Sequence, residues 1–179
     1  MTCIAGVTHN GHVYLAGDSA GLSGWSLTVR TDPKVFHVGE FVFGFTSSFR
    51  MGQVLAHGFT PPVIKGDLYT YMVTEFVDEL RAAFKAAGIA KEKNGEESCG
   101  QFLVGVKGRL FAIESDYQVG ESADGYDAVG CGADLAKGAL FALRGCGPAA
   151  RLKAAMEAAE RNSGGVRGPF RYVDTERAA

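Results

Sequence analysis

Few residues in this chain of 179 suggest covalent chemistry at neutral pH. Thr2 stands beside Met1, Asp18 follows Gly17, Lys34 follows Pro33, and Ser163 precedes Gly164-Gly165. Each alone has an ordinary explanation. Thr is a common second residue, and Asp after Gly is a natural turn acid. Lys after Pro suits a surface, and Ser before Gly-Gly suits the loop that ends a helix. The chemistry changes if Met1 is removed. A Thr hydroxyl is a poor nucleophile and needs a base. As the first residue, Thr2 would carry one in its own α-amino group, whose ordinary pKa is about 7.7–8.0.

The other reactive side chains form no pattern. Cysteines stand at 3, 99, 131 and 146, with no CxxC pair and no His at metal-ligand spacing. Neither zinc nor a disulfide framework is expected, and no cofactor is implied. Cys131 and Cys146 lie among small and apolar residues, which predicts buried packing. His9, His12, His37 and His57 make no evident pair.

The bulk properties set the frame for these residues. Hydrophobic residues make up 46% and charged residues 21%, which fits one globular domain spanning 1–179 with a sizeable core. The formal net charge is -2 and no long Lys/Arg run occurs, so no nucleic-acid partner is expected. No apolar run approaches the roughly 20 residues that span a bilayer, and no signal-peptide pattern opens the chain. A soluble cytoplasmic protein without a membrane partner is the expectation.

The elements that must position Thr2 begin at once. Residues 3–8 read as a buried strand, Asn10-Gly11 as a hairpin turn, and residues 13–16 as the returning strand. A terminus drawn straight into a sheet is unusual, because termini normally fray. Residues 17–31 read as a Gly/Ser-rich loop or irregular strand. Two hairpins follow, 35–38 with 41–45 and 102–106 with 109–113, and 118–121 suggests a further strand. Ser47 or Ser48 offers an N-cap for a short helix to about Ala56. Asp67 caps a long helix ended by Gly88, with Leu68, Met72, Phe76, Leu80 and Phe84 on one stripe and Tyr69, Val73 and Val77 beside it. The charged stretch 91–98 predicts a surface loop. Asp134 caps a helix to Arg144, Pro148 starts another to about Arg161, and 170–173 closes as a strand. This order fits an α+β fold: a four-layer αββα sandwich of two antiparallel sheets flanked by helix pairs. A lone α+β sheet also satisfies it, whereas the hairpins argue against a parallel doubly wound sheet.

With these elements in place, the chain resembles the proteasome β-subunit family of N-terminal-nucleophile (Ntn) hydrolases, and most of all its simple bacterial HslV and Anbu types. "MTCIAGVTHNGHVYLAGDSAG" is similar to the family's opening, where Thr follows the cleaved residue. Asp18 and Lys34 follow Thr2 at successive intervals of 16 residues, the family's spacing for its catalytic Asp and Lys. "FVFGFTSSFRMGQVL", "AVGCGADLAKGAL" and "ERNSGG" resemble later family segments, so the likeness covers nearly the whole chain in order. It implies a threonine-type endopeptidase in which Thr2 attacks an amide bond and forms an acyl ester. Lys34 would favour the neutral amine, Asp18 would fix Lys34, and Ser163 and Glu160 would hydrogen-bond around the amine. A backbone N–H at Ser47 or Ser48 would bind the oxyanion. Residues near Ala20, Thr31 and Phe45 to Phe49 would border the substrate pocket. The resemblance further implies peptide or protein substrates, a homo-oligomeric ring and, by analogy with HslV, an ATP-dependent unfoldase as partner.

Three departures from the family's pattern stand out. Cys131 replaces a Ser, Ser47 replaces a Gly, and Glu160 replaces an Asp. Two further readings therefore stay open. One is a catalytically silent ring or binding protein that keeps Met1. The other is a Cys3-dependent Ntn amidohydrolase, since "TCIAGV" is faintly similar to the start of glutamine amidotransferases.

Overall fold

The computed structural model describes residues 1–177. β1 (Cys3–His9) turns at Asn10-Gly11 into β2 (His12–Gly17). Both turn residues have positive φ, as the Asn-Gly signal demands. β3 (Ala20–Ser23) and β4 (Ser26–Val29) then form a separate two-stranded hairpin. β5 (Val35–Val38) and β6 (Phe41–Phe45) pair next, and α1 (Phe49–His57) follows, capped by the Ser48 side chain on the Met51 N–H.

The long helix comprises α2 (Leu68–Tyr71), a π-turn at Met72–Phe76, and α3 (Val77–Ala86), with Asp67 as its cap. Its apolar stripe repeats every four residues, whereas an α-helix turns in 3.6. The stripe would drift by about 40° per repeat in a regular helix. A π-turn accommodates one extra residue and cancels much of that drift. Met72, Phe76, Leu80 and Phe84 thus all reach the core, while Tyr69 and Val73 are left exposed.

The chain continues through β7 (Lys91–Lys93), β8 (Glu96–Ser98), β9 (Phe102–Val106), β10 (Arg109–Ile113), β11 (Val119–Glu121) and β12 (Tyr126–Gly130). It ends in α4 (Ala133–Ala142), α5 (Pro148–Asn162) and β13 (Arg171–Asp174). One antiparallel sheet has the order β12-β1-β2-β13, and the other β11-β10-β9-β6-β5. Ile4, Leu15, Val42 and Leu103 meet between the sheets. α4 and α5 cover the outer face of the first sheet, and α1 with the long helix covers that of the second. The result is the four-layer αββα sandwich.

Several local expectations change. The loop at 17–31 contains the β3–β4 hairpin, and the charged loop at 91–98 is the β7–β8 hairpin. β12 was not anticipated, and it pairs along β1 as an edge strand of the first sheet. Gly132, not Asp134, is the N-cap of α4. Cys131 and Cys146 are exposed rather than buried.

Two other thiols have consequences for stability. Burial pushes the Cys3 thiol up from 9.0 to about 12, and the charge of Asp18 adds to this. Burial pushes Cys99 up from 9.0 to about 12 as well. The unfolded chain releases both protons near the ordinary value, while the folded chain keeps them. Their contribution is fully present below pH 9.0 and fades as pH rises toward about 12. Lys34 acts in the opposite sense: burial lowers its pKa from 10.5, so the folded chain gives up that proton first and stability is gained as pH rises toward 10.5. Both thiols, joined by Tyr71 and Tyr117, whose phenols burial also pushes up, oppose one amine, so the urea midpoint is expected to fall between about pH 9 and 11. Cys99→Ala should flatten the slope, and a midpoint that rises with pH would refute this balance.

Candidate active site

β1, an inner strand, brings Thr2 to one end of the first sheet, between β12 and the loop after β2. Gly130 makes that approach possible. Its φ is +99°, and a Cβ there would lie 2.2 Å from the Thr2 carbonyl oxygen. Thr2 is buried, with 4% of its surface exposed, although Met1 beside it is open to solvent.

The loop after β2 carries Asp18, and the turn before β5 carries Lys34. Lys34 Nζ lies 2.9 Å from Thr2 Oγ1 and 2.8 Å from Asp18 Oδ1. The ion pair is sealed, with side chains 1% and 0% exposed. Asp18 is also fixed by backbone donors. Its Oδ1 accepts from Cys3 N, and its Oδ2 accepts from Ala20 N and Arg167 N. A buried carboxylate needs such donors to offset its lost hydration. Burial is the main influence on Lys34 and lowers its pKa, while Asp18 opposes that shift.

Around the Thr2 nitrogen the structure differs from the expected arrangement. Cys131 Sγ lies 3.3 Å from that nitrogen, and Ser163 Oγ lies 3.4 Å from Cys131 Sγ. The Cys131 thiol thus stands between Ser163 and Thr2. Glu160 is elsewhere: its Oε1 accepts from Gly168 N at 2.8 Å and braces the loop after α5. The Thr2 hydroxyl donates to the Met1 carbonyl oxygen.

Facing Thr2 is the turn from β6 into α1. Ser47 has φ +72°, a left-handed conformation that costs a non-Gly residue about 1 kcal/mol. The Ser48 N–H donates to the Thr46 carbonyl at 2.9 Å and is not available to an oxyanion. Among the described residues the Ser47 N–H makes no such bond. Of the two residues expected to bind an oxyanion, Ser47 therefore has the available donor.

A cleft of about 110 Å³ adjoins Thr2, lined by Leu22, Lys34, Phe45, Thr46, Ser47 and Phe49 among others. Phe45 lines it. Ala20 is buried beneath Asp18 and Thr31 is exposed, and neither lines the cleft. Phe49 lies in it too, whereas Leu22 was not singled out from sequence. No group of three His, Cys, Asp or Glu side chains that could hold a metal occurs among the described residues. No helix among them is long and apolar enough to cross a membrane.

Comparison with solved structures gives the fold. BPH of Thiobacillus denitrificans, in complex with epoxomicin, superposes with a TM-score of 0.79 at 20% identity, over 97% of each chain. HslV from Trypanosoma brucei gives 0.70 at 20% identity, over 97% of this chain and 98% of that one. Anbu from Yersinia bercovieri gives 0.70 at 14% identity, over 97% and 81%. No protein-family profile and no curated protein matches the sequence. The chain has the proteasome-like Ntn-hydrolase fold.

Proposed function

We propose that this protein is a threonine-type amide hydrolase acting on peptide bonds, with Thr2 as nucleophile once its α-amino group is free. The observation that carries this reading is the position of Lys34 Nζ, 2.9 Å from Thr2 Oγ1 and 2.8 Å from Asp18 Oδ1. A surface lysine has no physical reason to be buried against a Thr hydroxyl. Here the free amine takes the hydroxyl proton and Oγ1 attacks the carbonyl carbon. The Ser47 N–H supports the oxyanion. The C–N bond then breaks, the amine proton passes to the leaving nitrogen, and an acyl ester remains on Thr2 until water hydrolyses it.

The fold neighbours support a homo-oligomeric ring and a protein substrate, and an ATP-dependent unfoldase as partner belongs to the same proposal. Trp25, Leu27 and Val29 are exposed on one hairpin and supply an apolar surface for self-association. Monodisperse monomer in light scattering at micromolar concentration would count against a ring. A single domain spanning 1–179 and a cytoplasmic site of action complete the reading.

A second reading is favoured by one observation. With Met1 attached, its carbonyl oxygen accepts a hydrogen bond from the Thr2 hydroxyl, and Met1 itself borders the cleft. A chain that keeps Met1 would be a silent ring or binding protein. The Cys3 alternative is disfavoured, because Cys3 is fully buried and its thiol is pushed up to about 12.

The test begins with intact mass, to identify molecules that start at Thr2. These should cleave peptidyl-coumarin substrates and acquire an epoxomicin adduct on the peptide that starts at Thr2. Thr2→Ala should lose both properties. Hydrolysis that survives in Thr2→Ala would exclude Thr2 as nucleophile.

A further inference from the structure

Cys131 carries an exposed thiol with two polar neighbours. Its Sγ lies 3.3 Å from the Thr2 nitrogen and 3.4 Å from Ser163 Oγ. Gly165 leaves room for the sulfur. A Cβ there would lie 2.7 Å from Cys131 Sγ and 2.6 Å from Met1 Cβ.

Three contacts that fix this nitrogen do not involve Met1. The Thr2 carbonyl accepts from Gly132 N at 3.3 Å, and Lys34 Nζ lies 2.9 Å from Thr2 Oγ1. In the next residue, Cys3 N donates to Asp18 Oδ1 at 3.1 Å. Loss of Met1 therefore turns the nitrogen from an amide into an amine in place. It also opens the space that Met1 Cβ shares with Cys131 Sγ beside Gly165.

The geometry points to a redox switch in which a hydroperoxide oxidises Cys131 and the sulfur then bonds to the Thr2 amine. The thiol and the hydroperoxide give a sulfenic acid and an alcohol, or water where the oxidant is hydrogen peroxide. The amine attacks the sulfenic sulfur, an S–N bond forms and the S–O bond breaks. The hydroxyl leaves as water with a proton from the amine. Ser163 Oγ, close to the same sulfur, is placed to donate to the departing oxygen. Sulfenic acids condense with backbone nitrogen in the same way, and an amine has the more available lone pair. The linked nitrogen no longer serves as general base, so hydrolysis stops. Two molecules of a small thiol reverse the step, forming their own disulfide and returning the Cys131 thiol and the Thr2 amine. The Ser that the family's pattern places here has no such chemistry, so the switch belongs to Cys131.

The inference rests on the Thr2 hydrolase reading, and the test separates the two. It uses Thr2-first protein carrying Cys146→Ser, which removes the other exposed thiol. Hydrogen peroxide should lower peptidyl-coumarin hydrolysis by about 100-fold or more, the loss expected when a general base is removed. The intact mass should fall by two hydrogen atoms, and mapping should join the peptide that starts at Thr2 to the one holding Cys131. Alkylation after unfolding should find Cys3 and Cys99 free, whereas a Cys3–Cys131 disulfide would leave Cys99 alone. Dithiothreitol should restore both rate and mass. Cys131→Ser should keep its own untreated rate after peroxide. A disulfide to Cys3, oxygen added to Cys131 without a link, or an equal loss of rate in Cys131→Ser overturns the switch while leaving Thr2 as nucleophile intact. A Thr2-first protein that is inactive before peroxide overturns the hydrolase and its switch together.

Discussion

Lys34→Met is expected to abolish hydrolysis and to weaken the fold without removing it. The two effects have different origins. Lys34 Nζ contacts both Thr2 Oγ1 and Asp18 Oδ1, so its loss removes the positive charge beside the nucleophile. Removing a group that handles or steers a proton in the transition state costs about 10²–10⁴-fold in rate. Stability falls because Asp18 would remain 1% exposed as a carboxylate without its cation. Breaking one side of a buried pair typically costs about 3–5 kcal/mol. That is a large share of a usual stability of about 5–15 kcal/mol. Adding Asp18→Asn should recover part of this stability and none of the activity. Recovery is partial because Asp18 accepts on both oxygens, from Cys3 N, Ala20 N and Arg167 N, whereas Asn keeps one acceptor. Urea midpoints and kcat measured on the single and double variants separate the effects. Undiminished kcat in a folded Lys34→Met protein would remove Lys34 from the mechanism.

The elements that carry this triad were legible because their signals are local. Asn10-Gly11 fixes the first hairpin, and the spacing of Thr2, Asp18 and Lys34 survives as a linear pattern. β12 was missed for the opposite reason. It is short, flanked by glycine, and acquires its meaning only by pairing with β1 more than a hundred residues away. The β7–β8 hairpin has its own Asn94-Gly95 turn, with φ of 55° and 81°. Its charged flanks hid that signal, since an exposed two-stranded ribbon needs no apolar alternation. β4 is exposed along its whole length and shows no burial period either.

The surroundings of the amine were the least legible part of the site. Nothing in "ERNSGG" reveals that Glu160 turns to Gly168 N, because the fold of the following loop decides it. Cys131 was expected to be buried because small apolar residues surround it in sequence. The bend after Gly130 instead turns its thiol toward Thr2 N and Ser163. Thr31 was placed beside the pocket, yet it is exposed, between an Arg30 and an Asp32 that bond each other.

The form of the protein that begins at Thr2 is expected to hydrolyse amides, and any form with a residue before Thr2 is expected to be silent. Two effects act together in the extended form. The Thr2 nitrogen is then a peptide amide, which has no basic lone pair to accept the hydroxyl proton. The hydroxyl itself donates to the Met1 carbonyl rather than toward a base. Loss of a general base alone costs about 10²–10⁴-fold. The comparison uses one preparation carrying a cleavable N-terminal tag, assayed before and after the tag is removed to leave Thr2 first. Activity should appear with cleavage and follow its time course by intact mass. The rate of the processed form should rise with pH as the amine loses its proton. The midpoint should lie at or below about 7.7–8.0, because the Lys34 ammonium disfavours a second positive charge nearby. Equal rates before and after cleavage would mean that neither the Thr2 amine nor the placement of Lys34 beside its hydroxyl serves catalysis. The buried pair would then be a structural feature of a ring protein.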